Sequence, residues 1–245
     1  MKKAFLLLAL IFSINSSFAQ LKVTFPSKDG LTITADWYPV STNLPTIILC
    51  HQNKFSRGEY TETALRLNKF GFNCMAVDLR VGESCNNVVN ETAAAAKAKK
   101  QTPNFNDAEQ DIIAAVEFVY SKNQKPVILM GSSYSASLSL KIAAENNKVG
   151  AVIVFSPGEY FDDKTFVSSH IKKLICPVFA TSSKEESAGV TDLLKDVNAR
   201  LKIQYIPVSA GDHGSKVLWP QAKGNQEYWI ALMSFLDKIK RNYNQ

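Results

Sequence analysis

The stretch PVILMGSSYSASLSL, residues 126–140, decides how this chain folds. It opens as a continuous apolar run, turns sharply at residues 131–133, and continues at once in a helical pattern. An apolar strand leading directly into a helix is the building unit of a sheet covered on both faces. The turn itself reads Gly131-Ser132-Ser133-Tyr134-Ser135, a G-x-S-x-small pattern in the context required of a nucleophile elbow. The requirement is steric. Ser133 must sit on a tight turn so that its hydroxyl leaves the sheet, and bulk two positions away would strike the adjoining strand or helix. Gly131 and Ser135 satisfy this, although glycine is more usual than serine at the second position. A helix start rich in serine also suits simple N-capping, but capping alone does not call for strand, turn and helix in that order. Ser132 has the wrong offset from Gly131 to be the nucleophile.

Outward from this stretch the same alternation holds. LKVTFPS and LTITADWYP flank the turn signal Lys28-Asp29-Gly30 and predict an opening antiparallel hairpin. Then apolar runs (TIILCH, NCMAVDLR, VGAVIVFS, CPVFATS, LKIQYIPVS) alternate with amphipathic segments, the last from about Asn225 to Lys240. Strict alternation predicts a mostly parallel α/β sheet with helices on both faces. Residues 83–105 form a longer connection and residues 158–171 a modest one where a lid would sit; neither is long enough for a second domain. Residues 20–245 are therefore read as one domain.

In a parallel sheet, sites gather where strands end. A serine hydroxyl needs a base, and the chain holds only His51, His170 and His213. His213 lies in SAGDHG, a loop after the last apolar run, and follows Ser133 in the order serine, acid, histidine. His170 reads as a surface residue. The acid should follow CPVFATS, where Ser183-Lys184-Glu185-Glu186 stands. Counting from Pro177 favours Glu186, with Glu185 the alternative; acidic residues also suit a helix start there. Asp212 is set aside because adjacent side chains diverge. A developing oxyanion needs aimed N–H donors: the backbone N–H of Tyr134 and a donor from the loop His51-Gln52-Asn53, with Asn53 and Gln52 the candidates. A structural hydrogen bond is the expected role of His51. Phe55, Tyr134, Tyr160 and Trp219 are candidate pocket walls.

The first 19 residues carry two lysines, an apolar run from Ala4 to Phe12 and the small-residue site Ser17-Phe18-Ala19. This is the layout of a secretory signal peptide cleaved before Gln20, and the run is too short to span a bilayer. Export to the periplasm or the medium is the expectation, with no stable membrane insertion. The full chain is formally +6. That mild balance gives no reason to expect a nucleic-acid partner, and KAKK at residues 97–100 reads as a solvated helix end. Cys50, Cys74, Cys85 and Cys176 lack metal-type spacing, and their pairing stays open. Asn90-Glu91-Thr92 matches a glycosylation sequon.

These residues, with HQNKFSRGEY, GFNCMAVDLRVGES and GSSYSASLSL, resemble the α/β-hydrolase superfamily, in particular its small, lid-poor members similar to dienelactone hydrolases and esterases. The resemblance spans residues 20–245. It implies an eight-stranded sheet, a serine nucleophile, no cofactor, and cleavage of an ester or related acyl bond in a small-molecule substrate. Gln52 departs from the pattern, standing where glycine is usual beside the oxyanion loop. A catalytically silent binding protein of the same fold is the competing expectation, and a thioesterase, lactonase or peptidase using the same triad is the other.

Overall fold

In a computed structural model, residues 20–243 are described; the signal-peptide reading for residues 1–19 lies outside them. The main sheet is built from β1 (Leu21–Pro26), β2 (Thr32–Tyr38), β3 (Thr46–Cys50), β4 (Asn73–Val77), β7 (Val127–Ser132), β8 (Val149–Phe155), β9 (Val178–Thr181) and β10 (Lys202–Tyr205). A short ribbon, β5 (Ser84–Cys85) with β6 (Val88–Val89), stands apart. The helices are α1 (Thr61–Lys69), α2 (Glu91–Ala98), α3 (Glu109–Asn123), α4 (Tyr134–Glu145), α5 (Phe166–Ile171), α6 (Ser187–Leu193) and α7 (Asn225–Tyr243).

The eight strands run in the order β1-β2-β4-β3-β7-β8-β9-β10. β1 and β2 are antiparallel, as the Lys28-Asp29-Gly30 turn predicts, and Gly30 takes the positive φ, 76°, that such a turn asks for. β2 is also antiparallel to β4, and every later pairing is parallel. The apolar runs bury alternate residues on opposite faces. Ile48 and Leu129 join one core with α3 and α4, while Ile47, Leu49, Ile128 and Met130 join the other with α1 and α7. This period of two inside an unbroken apolar run is the mark of a strand covered on both sides.

Register sets where the chemistry can be. Cys50 pairs with Gly131, Gly131 with Val154, and Phe155 with Thr181, so β3, β7, β8 and β9 end along one edge. The loops that leave those strands are neighbours there.

The connection at 83–105 carries more structure than its composition suggests, holding the β5–β6 ribbon and α2. A buried arginine, Arg57, ties this region to the sheet, and a second, Arg80, ties the end of β4 to α3 and the β1–β2 turn. Arg57 pairs with Asp78 at 2.5 Å, Glu91 at 2.7 Å and Asp36 at 3.1 Å. Arg80 pairs with Asp111 at 2.7 Å and Asp29 at 2.8 Å, and its backbone N–H also donates to Asp111. Asn90 of the sequon is 1% exposed; it caps α2 by accepting the Ala93 N–H and donates to the Leu79 carbonyl. Its amide is therefore spent inside the fold and closed to glycosylation. All four cysteines are buried free thiols. No helix among the described residues is long and apolar enough to cross a membrane.

Removing one member of a buried ion pair strands the other. Asp111→Ala, which leaves the Arg80 guanidinium uncompensated, is expected to lower unfolding free energy by about 3–5 kcal/mol. Urea denaturation measures this; a loss under 1 kcal/mol would show that Asp29 suffices.

Candidate active site

Ser133 links β7 to α4 with φ 59° and ψ −125°, the left-handed region that a non-glycine residue enters only under constraint. Three features hold it there. Its N–H donates to the Phe155 carbonyl at 2.8 Å. Gly131 leaves no room for a side chain, since a Cβ would lie 2.5 Å from Ala136 Cα and 2.6 Å from Ala136 N. Ser135, in place of the usual glycine, donates its hydroxyl to the Cys50 carbonyl at 2.7 Å and accepts the Ser132 N–H at 3.0 Å. The departure from glycine thus pins the turn to β3.

His213 lies on the loop between β10 and α7, and its Nδ1–H donates to Glu186 Oε1. Glu186 Oε2 accepts the Ser156 hydroxyl at 2.7 Å and the Ser183 N–H at 3.2 Å. Burial works against the Glu186 charge, but the hydrogen bonds from His213 and Ser156 outweigh it and bring the carboxyl down to about 2. Glu186 therefore stays ionised, and with Nδ1 donating to it, the neutral tautomer of His213 carries its lone pair on Nε2.

Two serines bind the His213 loop to the strand ends. The Gly214 N–H donates to Ser156 Oγ and the Ser215 N–H to Ser132 Oγ, both at 2.9 Å. Tyr160 spans the remaining space: its ring meets the imidazole edge-on with centroids 6.3 Å apart, its hydroxyl donates to the Ser156 carbonyl at 2.7 Å, and the Ser133 hydroxyl lies beside it. Burial and the nearby Glu186 charge push the phenol up to about 12. Ser133 and His213 share these neighbours, and among the described residues no hydrogen bond joins the two directly; such bonds often tighten only around substrate.

The candidate oxyanion donors divide. The N–H groups of Tyr134 and Asn53 have no protein acceptor among the described residues. Gln52 is corrected: its N–H donates to Glu59 Oε2 at 2.8 Å and its side-chain amide also turns to Glu59, so it faces the interior. Glu185 makes no bond to His213; it lines a groove of about 680 Å³ between α6 and the 157–172 segment. Asp212 turns to Lys216, 3.5 Å away. His51 is fully buried, with Nδ1–H donating to the Gln52 carbonyl and Nε2 accepting the Leu79 N–H at 2.9 Å. His170 sits on α5 and bonds the Phe166 carbonyl. Phe55 and Trp219 stack on each other with centroids 6.1 Å apart, and Tyr134 stacks on Phe105. No group of three or more metal-binding side chains is present among the described residues.

Three residues escaped the sequence reading. Ser156 directly follows the apolar run of β8, and reading every strand end would have found it. Ser132 reads in sequence as a rival nucleophile or a helix cap, not as an acceptor for the His213 loop. Glu59 carries no signal of its own in sequence.

A family profile described as serine aminopeptidase, S33, matches residues 42–204, most of the sheet and the elbow. The chain belongs to this S33 hydrolase family. Solved structures of low identity share the fold of this S33 member. An esterase of Pyrococcus furiosus is 17% identical over 90% of this chain and 93% of its own, with a TM-score of 0.64. A dienelactone hydrolase of Anabaena variabilis is 14% identical over 88% and 94%, with a TM-score of 0.67. An α/β hydrolase of a Penicillium species is 13% identical over 93% and 100%, with a TM-score of 0.69. No curated protein matches the chain. The α/β-hydrolase fold expected from the resemblance is thereby shown.

His51 gives a test by pH. Burial lowers its pKa to about 4, from an ordinary 6.5, so the neutral ring stabilises the fold above pH 6.5 and that contribution is lost as pH falls toward 4. Asp111, raised to about 6 chiefly by burial, acts in the opposite sense, so a difference between proteins is the informative quantity. Between pH 7 and 4.5 the wild-type urea midpoint should fall further than that of His51→Gln. Parallel curves would remove His51 from the acid response.

Proposed function

We propose that this S33 hydrolase is a serine esterase acting on small acyl substrates through an acyl-enzyme, with Ser133 as nucleophile, His213 as base and Glu186 as acid. The observation that carries the reading is the His213 to Glu186 hydrogen bond beside a serine held at φ 59° on a strand-to-helix turn. The bond fixes the imidazole tautomer that leaves Nε2 free to take a proton. Ser133 Oγ attacks the acyl carbonyl while its proton passes to Nε2, and the carbonyl oxygen takes the negative charge. The N–H groups of Tyr134 and Asn53 stabilise that oxyanion. Collapse expels the leaving group, which takes the proton from Nε2. Water, deprotonated by the same nitrogen, then releases the acid and restores Ser133. Glu186 remains a carboxylate throughout and balances the transient imidazolium.

Labelling with a fluorophosphonate probe is expected for the wild type and absent for Ser133→Ala. With short-chain nitrophenyl esters, Ser133→Ala and His213→Ala should lose several orders of magnitude in kcat, and Glu186→Gln about 10²- to 10⁴-fold. Labelling that survives Ser133→Ala would remove this nucleophile. An unlabelled, inactive wild type would favour the silent-fold reading, and faster turnover of amino-acid anilides than of esters would make the protein a peptidase.

Export is proposed on the strength of residues 1–19 alone. N-terminal sequencing of the protein recovered from outside the cytoplasm should begin at Gln20; a product retaining Met1 would overturn it.

A further inference from the structure

Glu59 lies in the SRGEY stretch, which the proposed mechanism leaves without a role. It belongs to a single 3-10 turn, Arg57–Tyr60, that both neighbouring side chains fix in place. Arg57 donates to Asp78 on one side, and the Tyr60 hydroxyl donates to the Cys50 carbonyl at 2.8 Å on the other. Between these anchors the Glu59 side chain, in a residue only 1% exposed, enters the space beneath the elbow. Oε2 accepts the Gln52 N–H at 2.8 Å. Oε1 accepts the Ser215 hydroxyl at 2.6 Å and the Gln52 amide at 3.4 Å, and the Ser132 hydroxyl completes its surroundings.

One carboxyl thus touches three segments of different origin. Gln52 precedes Asn53, the proposed oxyanion donor. Ser215 lies two residues after His213, the proposed base. Ser132 precedes Ser133. Each of these partners is neutral, and burial raises the Glu59 carboxyl above its ordinary range. A buried carboxyl without a cation is a poor source of stability; its geometric effect is to bridge the Gln52 loop and the Ser215 loop, which share no direct hydrogen bond among the described residues, beside an elbow that Ser132 already bonds to Ser215.

We propose that Glu59 is a positioning residue for the hydrolysis, a tether that holds the oxyanion loop and the His213 loop in register with the Ser133 elbow. The inference rests on the triad reading for its catalytic consequence, but the tether itself is measurable without turnover. Glu59→Gln keeps the shape and offers one acceptor oxygen in place of two, which sets donor against donor at Gln52 or at Ser215.

Two measurements on the full-length folded protein decide it. In Glu59→Gln, kcat on a short-chain nitrophenyl ester should fall about 10- to 100-fold with KM within about twofold, because displacement of catalytic groups by about 1 Å has that consequence. Amide hydrogen exchange should accelerate in residues 51–56 and 209–216 together, with the central strands unchanged. Ser215→Ala cuts only one arm and should give a smaller fall in kcat with faster exchange in 209–216 alone. It decides the matter if Glu59→Gln does not fold: unchanged kcat and unchanged exchange in Ser215→Ala would overturn the tether. So would a folded Glu59→Gln with wild-type kcat, or with exchange altered in neither loop. If the wild type neither turns over esters nor labels at Ser133, the esterase reading falls, while the exchange data still decide whether Glu59 couples the two loops.

Discussion

The register of the parallel strands is the constraint on which the rest of the site depends. Because Cys50, Gly131, Val154 and Ala180 lie level across the sheet, the chain must leave β3, β7, β8 and β9 within a narrow band. Two of those exits are serines with positive φ, Ser133 at 59° and Ser156 at 52°. Such conformations cost about 1–3 kcal/mol each and persist only where the surroundings enforce them. Here the enforcement is specific. The Ser133 N–H donates to the Phe155 carbonyl and the Ser156 N–H to the Thr181 carbonyl, so each strained serine extends the ladder one residue past the strand end. Each kink therefore starts only after its backbone has bonded to the next strand.

Around these kinks, small hydroxyl side chains do what a purely apolar edge could not. Loops arriving at a buried sheet end bring N–H groups that must be satisfied. Ser132 accepts that of Ser215, Ser156 that of Gly214, and Ser135 that of Ser132. Serine fits because it adds a single acceptor with little volume. A Cβ on Gly214 would already approach Ser132 Oγ to 2.6 Å, so larger residues would push the His213 loop away. Losing any of these acceptors would leave a buried donor unpaired, a penalty of about 1–3 kcal/mol.

Much of this was legible in the chain itself. The alternation of apolar runs with amphipathic segments specifies a parallel α/β sheet because burial on both faces removes the polar half of each strand. Gly131-Ser132-Ser133 was legible because strand, turn and helix must follow in that order. His213 and Glu186 could be placed because each follows an apolar run, and their meeting is a consequence of strand order. What was hidden depends on contacts between distant segments. Whether the Gln52 N–H faces a cleft or Glu59 is not encoded near Gln52; it follows from where the turn at Arg57–Tyr60 settles. The sequon at Asn90 looks like a surface loop in sequence, and only the capping of α2 and the bond to Leu79 reveal that it is interior. The same blindness applies to residues 83–105, where short side chains and asparagines read as loop although Arg57 bonds Val89 and Glu91 and so organises the region.

The arrangement also separates the groups proposed to react from those beneath them. The side chains of His213 and Glu186, the proposed base and acid, are 38% and 31% exposed, and the proposed nucleophile Ser133 is 8% exposed. The groups behind them, Ser132, Ser156 and Glu59, are at most 1% exposed. Loops are ordinarily the mobile part of a fold, and the stretch between β10 and α7 has little regular structure to stiffen it. Its precision is supplied from below by hydrogen bonds to Ser132, Ser156 and Glu59, each rooted in a strand end or in a turn fixed by buried anchors. The proposed base, carried on a loop, can then hold its geometry as well as one carried on a strand, provided that every buried donor in that layer keeps its acceptor.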